Sequence, residues 1–250
     1  MKLQKIKKLL DQEVQIRNSL SELSYDKPDP LFIAKRYNDE SIALICALFA
    51  YGNACQIITF LESLDFTLLD ESEDGIVKSL SSHYYRFQKS EDVAALFIVL
   101  KRLRDIDSLE HIFYEGYRKE HNLLEGLWML IETIRKHYPK VSYGYDFLVG
   151  KPPKSLSSAG TYKRYLMFLR WMVRSDSLDM GLWSKIARRD LLMPLDTHTF
   201  NVSRKVGLLN RKSCDMKASI ALTETLRGFD AEDPIKYDFA LYRLGQEKLV

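Results

Sequence analysis

An all-α fold is what this sequence predicts, on three observations. Apolar residues recur at helical spacing along almost the whole chain. Strict apolar–polar alternation, the mark of a half-buried strand, is scarce. Ser, Asp or Asn stands ahead of several periodic runs and Gly behind them, the residue types that start and stop helices. With 46% hydrophobic residues in a chain of 250, a substantial core can form in one large domain or two closely associated lobes.

The elements follow in order. The first candidate helix runs from Leu3 to Ser19; its basic opening is interrupted by charges before any apolar run of signal-peptide length. Asp39 or Ser41 can cap an apolar helix reaching Tyr51, and Gly52-Asn53 breaks the chain before "ACQIITFLESL". Ser90 can cap "EDVAALFIVLKRL", after which Leu109 to Lys119 and Leu123 to His137 complete the middle of the chain. From His137 to Lys163, Pro, Gly and Ser concentrate, which reads as an ordered loop of a length more often functional than idle. In "TYKRYLMFLRWMVR", Tyr162, Tyr165, Leu166, Leu169, Met172 and Val173 share one helical face. Lys163, Arg170 and Arg174 then fall on another stripe, expected to be basic and solvated. Asp196 can cap a helix from Thr197 to Val206 that ends at Gly207, and Ser213 can cap "CDMKASIALTETLR", closed by Gly228. The total is about eight to ten helices, with no internal repeat or low-complexity linker.

Composition narrows the function classes. Three cysteines, odd in number and widely spaced, argue against a disulfide framework and a clustered iron–sulfur site, and fit a reducing cytoplasm. No segment offers the roughly 18 uncharged residues of a membrane span, so a soluble protein without a membrane partner is expected. Histidines lack metal-binding spacing, so no metal is expected. The net charge of +3 says little by itself, but its distribution is uneven. From Phe147 to Ser175 there is no acid, while Lys151, Lys154, Lys163, Arg164, Arg170 and Arg174 lie there.

Three motifs in order carry a resemblance: "KRYLMFLRWMVRSDSLDMGLW", "PLDTHTFNVSRKVGLL" and "DPIKYDFALYRLG". Together they resemble the helix-hairpin-helix DNA glycosylases, the superfamily of endonuclease III, and more specifically the archaeal-type 8-oxoguanine glycosylase branch and its uncharacterised bacterial relatives. The resemblance implies a two-lobed all-α fold with the active site in the cleft between lobes. In it, about 40–175 form a central bundle, and about 1–39 plus 190–250 form the second lobe of a single glycosylase domain. It also implies a cofactor-free monomer that excises 8-oxoguanine from damaged double-stranded DNA and cuts the abasic site as a β-elimination lyase. The superfamily's hairpin, of the form "LPGVG-x-K-T-A", is reduced here to "SSAGTYKRYL", which keeps Gly160 and Lys163.

The chemistry of that expectation needs two groups. Loss of a purine leaves oxocarbenium character on the sugar, which a carboxylate stabilises, while a neutral lysine amine captures C1′ as a Schiff base. Asp196 and Lys163 are the residues expected in those roles, with Arg164 among the cations that would favour the uncharged amine. Gly160, Arg164, Arg170 and Arg204 are the expected phosphate contacts. Asn53, Gln56, Phe168, Pro194, Asp238 and Tyr242 are the expected base pocket, Asn53 or Gln56 supplying an acceptor for the N7–H that distinguishes 8-oxoguanine. Plainer readings stand beside these: Asp196 as an N-cap, Lys163 as a surface lysine, Phe168 and Trp171 as core, and His198 as a structural residue at its helix start. Two other functions stay open, a glycosylase for a different damaged base and a non-catalytic DNA-binding module. The aromatic-basic run "HYYRFQK", His83 to Lys89, is either a DNA contact or an ordinary helix edge.

Overall fold

A computed structural model describes residues 2–247. Among the described residues there are thirteen α-helices and five short 3-10 helices, and no strand. The chain divides into two compact units, residues 25–152 and the residues up to 24 together with those from 153 onward. No helix of the described residues is long and apolar enough to cross a membrane.

The unit of residues 25–152 holds α2 (Pro30–Tyr37), α3 (Glu40–Leu48), α4 (Ala54–Ser63), α5 (Glu73–Ser79), α6 (Ser90–Arg104), α7 (Leu109–Tyr117), α8 (Leu123–His137) and α9 (Tyr143–Val149). Its central element is α6. Every residue of α6 from Asp92 to Leu100 is buried, as expected of a helix apolar on all sides, and it packs against α5, α8 and α9. α7 and α8 form a close hairpin. A Cβ at Gly116 would stand 2.5 Å from the Glu125 carbonyl oxygen, so only glycine permits that approach.

Short helices escape the periodicity argument. α2, α5 and α9 have eight, seven and seven residues, too few turns for a repeating face to show. α9 therefore lies inside the stretch expected as a loop, started by Ser142, whose hydroxyl accepts the Tyr145 N–H at 3.1 Å. Caps also differ in detail. Asp39, not Ser41, caps α3 by accepting the Ile42 N–H at 2.9 Å; Ser41 is the buried second residue of the helix. Ser90 is the first residue of α6 rather than its cap.

The other unit holds α1 (Lys2–Arg17), α10 (Lys163–Val173), α11 (Thr197–Val206), α12 (Met216–Arg227) and α13 (Asp238–Gln246). α13 packs on both α1 and α11. The cap of α12 is Asp215, two residues beyond the Ser213 expected from the sequence, and it accepts the Ala218 N–H at 2.8 Å. Residues 153–175, which the sequence places with the central bundle, are tied to this unit: the Met216 N–H donates to the Ala159 carbonyl at 3.2 Å, and Arg170 pairs with Asp238.

Candidate active site

Lys163 is the first residue of α10, after Tyr162 turns the chain in the left-handed region at φ +46°. Asp196 stands at the start of α11, and what places it is α12. The Met193 carbonyl accepts the Ser219 hydroxyl at 2.6 Å, and the Met193 N–H donates to the Thr223 hydroxyl at 2.9 Å. Leu191, Met193, Pro194 and Leu195 are buried, so the chain reaches Asp196 as a fixed, non-helical lead.

Asp196 divides its two oxygens. Oδ1 accepts the Thr199 N–H at 2.8 Å and caps α11, while Oδ2 faces Lys163 Nζ at 3.5 Å. The plain N-cap reading and the pairing with Lys163 hold together. The Lys163 and Asp196 side chains are 29% and 30% exposed, so a ligand can reach both. Burial pushes the Asp196 carboxyl up, but the Lys163 ammonium, the Thr199 hydrogen bonds and His198 outweigh it and hold it below the usual carboxylate value. Both residues sit at helix N-termini, and neither helix has an acid in its first turn. Two positive helix ends therefore meet at one partly exposed ion pair, a setting that favours anionic ligands.

The rest of the basic stripe behaves differently. Arg170 and Arg174 are buried rather than solvated. Arg170 Nε meets Asp179 at 3.0 Å and its Nη1 meets Asp238; Arg174 meets Asp176 at 2.9 Å, Asp233 at 2.9 Å and Asp179. Carboxylates from the loop after α10 close on both guanidiniums, joined by Asp238 at the start of α13 on Arg170 and by Asp233, ahead of α13, on Arg174, so Arg170 is committed inside and cannot reach a phosphate. Asp238 is likewise committed to Arg170. Burial pushes its carboxyl up, Arg170 and then Lys163 pull it down, and Asp196 adds to the rise.

Other expected contacts scatter. Phe168 is fully buried, edge-on to Trp183 with centroids 5.3 Å apart; it is core and offers no face to a base. Pro194 is buried beside Asp196. Tyr242 is half-buried with its ring edge-on to His198 at 6.1 Å. His198 itself closes the contact between α11 and α13, where a Cβ at Gly245 would overlap its ring. Arg204 is exposed over the Phe200 ring, Arg164 is half-buried, and Gly160 lies in an open loop. Asn53 and Gln56 belong to the other unit: the Asn53 amide oxygen caps α4 by accepting the Cys55 and Gln56 N–H groups, and Gln56 is exposed.

Sequence reasoning missed Ser219 and Thr223. Their signal, two hydroxyls one helical turn apart on an otherwise apolar face of α12, is visible only once that face is known to be buried. Cys214 also lies in this neighbourhood, its thiol pushed up by burial and then by Asp196 and Asp215. Among the described residues no group of His, Cys, Asp and Glu is arranged to hold a metal ion.

Comparison with known families corrects the resemblance drawn from the motifs. Residues 29–247 match the family described as "Protein of unknown function (DUF2400)", and no helix-hairpin-helix glycosylase family matches. No curated protein and no solved structure matches the chain. The motifs are short, and the most distinctive of them turns on Asp196, an acid that caps a helix, a feature that recurs wherever helices begin.

Proposed function

The chain belongs to the DUF2400 family, and for it we propose a DNA repair reaction: excision of 8-oxoguanine followed by cleavage at the abasic site, with Lys163 as the Schiff-base nucleophile. The observation that carries this reading is the Lys163–Asp196 pair, 3.5 Å apart and reachable from solvent at two helix N-termini.

Each group has a task in this reading. Lys163 Nζ, after losing a proton, bonds to C1′ of the deoxyribose as the bond from C1′ to the base breaks and the base leaves with the electron pair. Asp196 Oδ2 stands 3.5 Å from Nζ, and its negative charge favours positive character on the sugar as the base departs, the amine's proton having gone to solvent. The nitrogen then passes a proton to O4′ as the C1′–O4′ bond breaks, the resulting Schiff base loses a proton from C2′, and the 3′ phosphate departs with the electron pair of its bond to C3′. The two helix N-termini supply partial positive charge for the flanking phosphates. Arg204 and Lys205, exposed on α11, add full charges on the same helix.

The base is tested apart from the sugar chemistry. Full-length protein is incubated with duplexes carrying 8-oxoguanine, uracil, thymine glycol or alkylated adenine, and released base and strand cleavage are read separately. Release of 8-oxoguanine with a β-elimination product is the expected outcome. Release of another base alone ends the lesion assignment while leaving the lysine chemistry. No release and no cleavage of an abasic duplex, from protein that binds DNA, replaces the enzyme with a DNA-binding module.

A further inference from the structure

Two segments far apart in sequence carry aromatic rings and no acid, and the unit of residues 25–152 brings them together. Residues 75–90 contain Lys78, His83, Arg86 and Lys89 without Asp or Glu, and residues 133–145 contain Arg135, Lys136 and Lys140 without either. In the first segment Tyr85 and Gln88 exchange backbone hydrogen bonds of 3.1 and 2.9 Å. They close a tight turn with Arg86-Phe87 at its tip, Arg86 being held at φ +56°. The Phe87 ring lies 5.1 Å from Tyr143 and 4.7 Å from Phe147, centroid to centroid. This run is a turn, not the helix edge that the sequence left open.

The seam is locked from beneath by Asp92, which is buried. Its carboxylate accepts the Lys89 N–H at 3.0 Å and the Ser142 hydroxyl, and pairs with Lys140 at 3.6 Å. Gly144 allows the approach, because a Cβ there would overlap Asp92. The carboxylate that joins the two segments is thus turned inward and shared among three donors.

What remains outward is aromatic and positive. Tyr84 and Tyr143 are each 75% exposed and Phe87 is partly exposed. Arg86 and Lys89 are exposed and among the described residues neither forms an ion pair, the Arg86 guanidinium standing over the Tyr51 ring at 5.6 Å. Clustered rings in water mark an interaction surface. Rings beside unpaired cations match a nucleic-acid strand whose bases are unpaired, since every base has a face to stack and every phosphate a negative charge. Charge complementarity favours that occupant over an apolar protein partner.

We propose that the turn at 84–87 and the start of α9 bind a single-stranded stretch of nucleic acid by stacking bases on Tyr84 and Tyr143 and pairing phosphates with Arg86 and Lys89. This rests on the nucleic-acid partner of the reading above and is independent of its Schiff base. The test uses the full chain, a labelled short oligothymidylate and fluorescence anisotropy, with thermal melts to show that each variant is folded. The Tyr84→Ala/Tyr143→Ala variant should bind about tenfold or more weakly. Arg86→Gln/Lys89→Gln should bind more weakly at low salt, with a shallower dependence on salt. The surface is refuted if wild type ignores the strand, if either double variant binds unchanged, or if the tyrosine variant alters only self-association. A lysine adduct that persists beside unchanged strand binding in the tyrosine variant sinks this surface alone. Lost strand binding in that variant, with no adduct from wild type, sinks the lysine chemistry alone.

Discussion

The two ends of α10 put the same residue types to opposite uses. At its first residue, Lys163 meets one carboxylate, Asp196, with both side chains about a third exposed. Near its last turn, Arg170 and Arg174 meet Asp176, Asp179, Asp233 and Asp238 with almost no access to water. Water screens the first pair, so its charges add little stability and are available to a ligand. The second group is desolvated, so each charge depends on its neighbours, and none is available. Basic character along a helix does not identify a binding face; the carboxylates that arrive from elsewhere in the chain decide.

The largest effect expected from this contrast is on stability. Asp179→Ala removes a carboxylate shared by both guanidiniums and should cost about 3–5 kcal/mol, read from urea unfolding. A loss under about 1 kcal/mol would mean that the cluster is as wet as the Lys163 pair, and the contrast would fail. Next comes catalysis. Asp196→Asn keeps a good capping residue on α11 but loses the charge, so turnover should fall about 100-fold while stability changes by no more than about 1 kcal/mol. Equal turnover would remove Asp196 from the chemistry.

Acid sharpens the comparison further. The Asp196 carboxyl in the folded protein titrates below its ordinary value, so the stability it contributes is complete above the unfolded value, about 3.9, and is lost as pH falls through the lower folded value. Melts of wild type and Asp196→Asn should keep a constant gap from pH 7 to 5, then converge below about pH 4. A gap that widens on acidification would reverse the sign of this account. The smallest effect is that of Lys163→Gln on stability, below about 1 kcal/mol, because an exposed pair contributes little; a larger loss in the same melts would make Lys163 a structural residue.

These contrasts also explain how far the sequence could be read. Helical content was legible because the long helices, such as α6 and α8, repeat their apolar faces over several turns. The start of α11 was legible because Asp-Thr-His-Thr is a local signal, and its cap bond spans three residues. The fate of Arg170 was not legible, because its partners Asp179 and Asp238 stand nine and 68 residues away. Phe168 was ambiguous for a similar reason: its place in the core depends on Trp183, beyond the end of its own helix. Ser219 and Thr223 show the same limit, since hydroxyls on an apolar helix face acquire a role only when the carbonyl and N–H of Met193 are known to lie against them.

The central claim is that Lys163 forms a covalent imine with the sugar it acts on. Borohydride reduction during incubation with an 8-oxoguanine duplex, and in parallel with an abasic duplex, followed by peptide mass mapping, tests it most directly. One adduct, located on Lys163 and absent from Lys163→Gln, is the expected result. An adduct on a different lysine, or none from folded wild type on either duplex, would contradict it.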